Sequence, residues 1–144
     1  MTLNYTTTIL VIKDLLLAVG LGLVIGLERK LVQGEVGMRT FALICLGATL
    51  FVLLPNLMAV PNTALEQFIG QLVVGIGFLG AGAIIFEERS GKLRGLTTAA
   101  IMWVTAAIGA AIGIGFYSVA IISTALVLLI NLIILPIERR LDRK

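Results

Sequence analysis

Four of the acidic residues inside or next to apolar segments are candidates for binding a cation. Asp14 lies inside the first apolar segment, Glu28 follows that segment, and Glu87 and Glu88 follow the third. Mg²⁺ prefers oxygen ligands, takes one or two carboxylates and keeps several waters. The chain has one cysteine and no histidine, which argues against zinc, haem and histidine-based catalysis. These acids predict a divalent-cation site at most, with Mg²⁺ as the candidate ion and no other cofactor expected.

A wider polar group surrounds these acids in two short basic loops. It contains Glu28, Arg29, Arg39, Thr40, Glu87, Arg94, Thr97 and Thr98. Threonine at a helix start can accept a hydrogen bond from a free backbone N–H, and arginines can pair with the glutamates. Two interpretations are open: a structural rim that seals the loops against lipid headgroups, or a cation or partner site. Nothing in the group resembles a nucleophile–base pair, so we do not expect an enzyme.

The composition places these residues in a membrane protein. Of the 144 residues, 59% are hydrophobic and 13% are charged, whereas soluble domains are about 45–50% apolar and about 25% charged. So few charges cannot cover a soluble surface, and the lipid bilayer is the expected surroundings. The isoelectric point is near 9.4, but the basic residues lie in loops and the tail, so nucleic-acid binding is not expected.

Five apolar segments match the length of about 20 residues that one membrane span requires. They cover about 9–27, 40–58, 68–86, 96–113 and 116–137. The sequence therefore predicts a single domain, 1–144, that is an all-α bundle of five transmembrane helices. The last boundary depends on a turn at Gly113–Gly115, and the alternative is one long kinked helix over 96–137.

The basic residues alternate between the two sides of such a bundle. There are none before the first segment, three in the first loop, none in the second, three in the third, none at the Gly113 turn and four in the tail. Because cytoplasmic loops carry an excess of Lys and Arg, the N-terminus is predicted outside and the C-terminus in the cytoplasm. Lys13 is the exception, next to Asp14. The pair is either a wet helix start or an inward-facing carboxylate on an ion path.

Small residues repeat along three of the five segments and predict close helix contacts. The packing candidates are Gly22, Gly26, Gly75, Gly77, Gly80, Gly82, Ala107 and Ala111. Small side chains let helix backbones approach each other within lipid. We therefore expect the third helix to be central and most crowded, the fourth to be its mate, and glycine faces to form a homodimer. Gly75–Gly80 also matches the dinucleotide pattern, but it lacks the preceding strand that this motif requires.

The two basic loops resemble each other. GLERKLVQGEVGMRTFAL begins at Gly26, and IFEERSGKLRGLTTAAI begins at Ile85. Both contain Glu-Arg, a glycine turn, a lone arginine, threonine and then a new apolar helix. This order predicts a parallel repeat of two helices, with helices one and two equivalent to three and four.

Several longer motifs carry a family resemblance. They are GLVIGLERK from Gly22, G-x-R-T-x-A-L at Gly37–Leu43, VGIGFLGAG at Val74–Gly82, RGLTTAA at Arg94–Ala100, Trp103 and AAIG at Ala106–Gly109. In this order they resemble the MgtC/SapB family. The resemblance implies a bacterial inner-membrane protein with five spans and an outer N-terminus. It also implies links to growth in low magnesium, to intracellular survival of pathogens, and to modulation of membrane proteins such as the F-type ATP synthase and sensor kinases.

Position by position, the family's acidic residue after its glycine motif falls on Glu87, and its Glu-Arg pair falls on Glu28 and Arg29. The namesake branch often has asparagine where this chain has Thr97, and cysteine where it has Val104. That branch also has a C-terminal soluble domain, and this sequence stops at Lys144, which favours a short SapB-like member. The expected function is a non-enzymatic modulator of other membrane proteins. The alternative is a Mg²⁺ carrier whose ligands are Asp14 and the loop carboxylates.

Overall fold

A computed structural model describes residues 4–32, 36–87 and 92–141 of the chain. The elements are α1 (Tyr5–Val32), α2 (Met38–Leu57), α3 (Asn62–Ala83), β1 (Ile85–Glu87), β2 (Lys92–Arg94), α4 (Leu96–Ile114) and α5 (Tyr117–Leu141). Five helices are long and apolar enough to cross a membrane. The predicted all-α bundle of five spans is therefore confirmed for the described part of the chain.

The contacts between helices show how they run. A Cβ built on Gly22 would lie 2.7 Å from Ala42 Cα, and one built on Gly26 would lie 2.7 Å from Met38 Cα, so α1 and α2 are antiparallel. α1 and α3 end, and α2 and α4 begin, at the same end of the bundle. We call it the basic end, because Arg29, Arg39 and Arg94 lie there. The predicted orientation, with this end in the cytoplasm, stays a prediction.

A small hairpin joins α3 to α4 at the basic end. Ile84 has extended backbone (φ −91°, ψ 120°) and ends α3, and β1 pairs antiparallel with β2 from Ile85–Arg94 to Glu87–Lys92. The third span therefore ends three residues before the predicted 86, and it begins at Asn62, six residues before the predicted 68. Gly95 closes the hairpin with φ +86°, and a Cβ on it would collide with the Ala83 carbonyl oxygen.

Two separate helices follow Leu96. Gly115 has φ +91°, its N–H donates to the Ile112 carbonyl at 2.8 Å, and the Phe116 N–H donates to the Ala111 carbonyl at 2.8 Å. This pair of bonds is the Schellman motif that ends helices at a left-handed glycine. The alternative of one kinked helix over 96–137 is therefore excluded.

The centre of the bundle is the contact between α2 and α4. In a continuous apolar stretch of 18 residues in each helix, 56% of the residues are buried in α4 and 44% in α2, but only 11% in α3. A Cβ on Gly109 would collide with the Cys45 carbonyl oxygen, and one on Gly113 would lie 2.8 Å from the Thr49 carbonyl oxygen. The Thr49 hydroxyl also donates to the Gly109 carbonyl at 2.9 Å. The prediction that α3 is central and most crowded is therefore wrong.

The predicted packing residues divide into two groups. Gly22 and Gly26 lie tightly against α2, and Gly80 is in ordinary contact with Ala99 Cβ at 3.7 Å. Within the described chain, no atom of another element lies within 4 Å of a Cβ built on Gly75, Gly77 or Gly82. For these three glycines the predicted helix contact is wrong within one chain.

The two alanines predicted to pack also lie outside the main contact. Ala107 is exposed and Ala111 is half-buried, and both line a shallow cleft of about 260 Å³ between α3 and α4. The glycines two positions after each of them make the close contact with α2 instead. Small residues occur on both of these faces of α4, and the rotation of the helix decides which face packs against α2.

Candidate functional site

Asp14 faces into the bundle at the end opposite the basic end. It is 6% exposed, and its Oδ1 accepts a hydrogen bond of 2.8 Å from the Tyr117 hydroxyl at the start of α5. Lys13 Nζ lies 4.0 Å from the centre of the Tyr117 ring, a cation–π contact. Tyr117 therefore contacts both Lys13 and Asp14, through its ring and its hydroxyl respectively, although adjacent residues lie on different helix faces.

Glu28 forms a second buried pair near the basic end. It is 9% exposed, and its Oε2 accepts a hydrogen bond of 2.9 Å from Asn131 Nδ2 on α5. Asn131 is equally buried. Oε1 is also buried and accepts no hydrogen bond from the residues that the structure describes. A buried acceptor without a donor is rare in native proteins and costs about 1–3 kcal/mol.

Arg29 ties α1 to α4 beside this pair. It is 3% exposed, and its Nη2 donates to the Thr98 hydroxyl at 3.4 Å. Thr98 is buried on the first turn of α4. The Glu-Arg motif at the end of α1 therefore reaches two other helices, with Glu28 bound to α5 and Arg29 bound to α4.

The two acid pairs share one register. Asp14 and Glu28 are 14 residues apart on α1, and Tyr117 and Asn131 are 14 residues apart on α5. The helices therefore run parallel here, and 14 residues correspond to about 21 Å. The side chains buried between the pairs include Ala18 and Ile25 on α1 and Ala120 and Val127 on α5. The one polar side chain of α5 in this stretch that is buried, Thr124, donates to its own helix at the Ala120 carbonyl.

This register separates the acids that the sequence grouped as possible metal ligands. Asp14 and Glu28 cannot bind one ion across about 21 Å. Glu87 lies in β1, without a described side chain, and Glu88 lies outside the described residues. In the part of the chain that the structure describes, no three His, Cys, Asp or Glu side chains are grouped for a metal. The proposed Glu28–Glu87–Glu88 ligand set stays a prediction.

The remaining loop residues predicted as a rim are on the surface. Arg39 and Thr40 are exposed at the start of α2, and Arg94 and Thr97 are exposed at the end of β2 and the start of α4. Gly37 and Gly95 precede these two helices, and neither helix start has a side-chain cap. The expected threonine caps are therefore wrong, because Thr40 and Thr98 lie inside the helices rather than before them. The predicted repeat stays a prediction, since Glu88 and Arg89 of its second copy are not described.

A wide apolar groove lies between α2 and α3. It has a volume of about 700 Å³, and its walls carry Gly47 and Phe51 from α2 and Phe68, Gln71 and Gly75 from α3. Gly47 and Gly75 have no described neighbour within 4 Å of a built Cβ. Gln71 is exposed and is the tenth of the 22 residues of α3, close to the middle of the span. An amide in this position faces lipid or the groove.

Three residues of this arrangement escaped the sequence analysis. Asn131 and Tyr117 belong to the strongly apolar fifth segment, where hydropathy alone does not single out an individual polar side chain. The signal was present: a polar side chain inside a span is costly and usually has a partner. Gln71 was passed over because its segment was assigned to the crowded centre of the bundle.

The five apolar helices, joined by buried polar pairs, define a multi-pass α-helical membrane protein. The model of the MgtC family matches residues 15–140. The chain belongs to the MgtC family.

Curated relatives agree with this assignment. Protein SrpB of Synechococcus elongatus is 44% identical, over 80% of this chain and 69% of that protein. Protein MgtC of Salmonella typhimurium is 38% identical, over 92% of this chain and 55% of that protein. Protein MgtC of Brucella abortus is 38% identical, over 85% of this chain and 50% of that protein. The chain thus spans about half the length of these MgtC proteins. No solved structure matches it significantly.

Proposed function

We propose that this chain is a non-enzymatic protein of the bacterial inner membrane that binds a transmembrane helix of another integral membrane protein in the groove between α2 and α3. The observation that carries the proposal is the open glycine pair, Gly47 and Gly75, on opposite walls of the groove. The proposed link to magnesium homeostasis rests on membership of the MgtC family.

The shape of the groove suits a helix. Its walls run over residues 40–51 of α2 and 68–79 of α3, which is about 17 Å or three helical turns. Glycine on both walls removes the side chains that would keep a third backbone at a distance, and small residues of this kind mark helix contacts within membranes. An acyl chain needs no such close approach.

The polarity of the groove also favours a helix over lipid. Gln71 presents an amide close to mid-membrane, where an unpaired polar group costs several kcal/mol in hydrocarbon. A partner helix with a serine, threonine, asparagine or glutamine could pair with it, and such bonds contribute about 0.6–1.7 kcal/mol. The ATP synthase and sensor kinases implied by the family resemblance are candidate sources of such a helix.

The alternative, a Mg²⁺ carrier within one chain, has less support. The two buried acids that would form its ends lie about 21 Å apart along α1, and the positions buried between them include Ala18, Ile25, Ala120 and Val127. An ion would have to cross this apolar contact without ligands, at a cost of many kcal/mol. Magnesium flux into sealed proteoliposomes containing only this chain is therefore expected to equal that of empty vesicles.

Site-directed crosslinking in cells tests the proposal. A photoreactive residue at Gly75 or Gly47 is expected to trap one integral membrane protein, and the same residue at Leu132, which is 66% exposed on α5, is expected not to. In a strain whose growth in low magnesium depends on this chain, Gly75→Leu should abolish that growth. Gly20→Leu is the matched control, since Gly20 also has open space around its Cβ but lies on α1.

The adducts separate the possible occupants. A heavier adduct that contains a second integral membrane protein supports the proposal. An adduct of two copies of this chain would instead show the predicted homodimer at this groove. Trapping of lipid alone at both groove positions, with growth unaffected by Gly75→Leu, would refute the proposal.

A further inference from the structure

The second carboxylate oxygen of Glu28 marks a ligand site that the modulator proposal does not use. Glu28 is 9% exposed and binds Asn131 through Oε2 alone. Oε1 is buried and accepts no hydrogen bond from the described residues. Because buried acceptors in native proteins almost always have a partner, this oxygen requires a donor or a cation.

Glu28 lines a small cleft at the basic end. It has a volume of about 100 Å³, and its polar lining consists of Glu28, Arg29, Thr97 and Asn131. Aliphatic side chains of α5 complete the wall. Since about 10–15 Å³ of such space is enough for one water, the cleft can hold an ion with a few waters, but not a nucleotide or a peptide.

The donor atoms of the cleft are oxygens. Glu28 offers Oε1, and Thr97 offers a hydroxyl at the exposed mouth. Asn131 offers its amide oxygen as the remaining atom, because its Nδ2 already donates to Glu28. Oxygen ligands of this kind select hard cations, whereas softer metals prefer nitrogen or sulfur. The lining supplies none of the histidine or cysteine ligands that a transition metal would require.

The charge of the lining selects the valence of the ion. One carboxylate is present, and the guanidinium of Arg29 lines the same cleft. A divalent ion would leave two uncompensated positive charges in a partly buried site, where charges interact more strongly than in water. A monovalent ion leaves only one such charge, with Glu28 and Arg29 counted in the same way, so the cleft favours a monovalent ion.

We propose that Glu28, Asn131 and Thr97 bind a small alkali-metal cation, Na⁺ or K⁺, where α1, α4 and α5 meet at the basic end. The ion connects the Glu28 Oε1 atom to the first turn of α4 and to α5. α5 has few other buried side chains, so the bound ion strengthens its attachment to the bundle. This site is independent of the groove between α2 and α3.

Thermal unfolding in detergent tests the site. NaCl or KCl is expected to raise the Tm by several degrees, with saturation, relative to N-methyl-D-glucamine chloride at the same ionic strength. Glu28→Gln keeps the shape and removes the charge, so it should abolish the ion-dependent rise. Asp14→Asn should retain the rise, because Asp14 has the same buried setting and a partner on α5 but does not line the cleft.

Three results would overturn this proposal. The organic cation could raise the Tm equally, which would indicate screening alone. MgCl₂ could saturate the rise at lower concentration than NaCl, which would contradict the charge argument. The rise could also persist in Thr97→Val, an isosteric change at an exposed position that does not threaten folding. Thr97→Val therefore keeps the test decisive even if Glu28→Gln fails to fold.

Discussion

Four glycines of α1 and α4 and three glycines of α3 have opposite surroundings in the same bundle. Gly22, Gly26, Gly109 and Gly113 each lie where a Cβ would approach a backbone atom of α2 to 2.8 Å or less. Gly75, Gly77 and Gly82 have open space at the same position in the described chain. Both sets allow a close approach of helices, so the packed set accounts for the fold and the open set is available to a partner.

The exposure of α3 fits this division. Phe78 is 82% exposed and Val74 is 69% exposed, and both lie on the side away from Ile76 and Gly80, the buried residues of the helix. α5 is equally poorly buried but carries bulky aliphatic side chains instead of glycines. Exposure alone therefore does not distinguish a lipid-facing helix from a partner-binding one, whereas a groove with open glycines on both walls, Gly47 and Gly75, favours partner binding.

The largest expected effect is at the contact between α2 and α4. Gly109→Leu places a side chain against the Cys45 carbonyl oxygen and Ala48 Cβ, and we expect a loss of about 3 kcal/mol or more in the free energy of unfolding. Unfolding by SDS in mixed micelles measures it. A stability within error of the wild type would show that α4 can rotate. The packed glycines would then not account for the fold.

The contact between α1 and α2 should respond less strongly. Gly26→Leu meets the backbone of Met38, but a smaller share of α1 than of α4 is buried, so α1 can shift outward. We expect a loss of about 1–3 kcal/mol in the same assay. A loss larger than that of Gly109→Leu would mean that α1, and not α4, is the helix on which the others assemble.

The open set should show almost no effect in the isolated chain. Gly75→Leu adds a side chain to empty space and removes a poor helix former, so the free energy of unfolding should not fall by more than about 0.5 kcal/mol. A large loss of stability in the purified monomer would show that Gly75 packs within the chain. The comparison would then fail, together with the proposed groove.

The smallest measurable effect is expected at the hydrogen bond between Tyr117 and Asp14. Tyr117→Phe keeps the ring under Lys13 and removes the donor to Asp14 Oδ1. Hydrogen bonds between membrane helices contribute about 0.6 kcal/mol and at most about 1.7 kcal/mol, so a loss in this range is expected from SDS unfolding. A loss above that of Gly26→Leu would show that polar pairs, rather than close packing, hold the helices together.

Hydropathy and charge in the sequence were sufficient for the number of spans, and the order of the longer motifs was sufficient for the family. Both depend on properties that each segment carries alone: length, apolarity, a glycine that stops a helix at Gly115, and motifs such as VGIGFLGAG. The burial of the Glu28-Arg29 pair was not predictable in this way. The same residues suit an exposed rim and a buried junction, and the difference depends on whether α4 and α5 cover the end of α1.

The sequence alone determined that this protein is a five-helix membrane bundle of the MgtC family with small residues on several helices. Only the tertiary structure decided which of those residues are packed, because a helix's rotation about its axis depends on all its neighbours at once. It placed Gly109 and Gly113 against α2 and left Gly75 facing the groove. It also brought Tyr117 and Asn131 opposite Asp14 and Glu28, across 103 residues of chain in each case, a distance over which no local pattern acts.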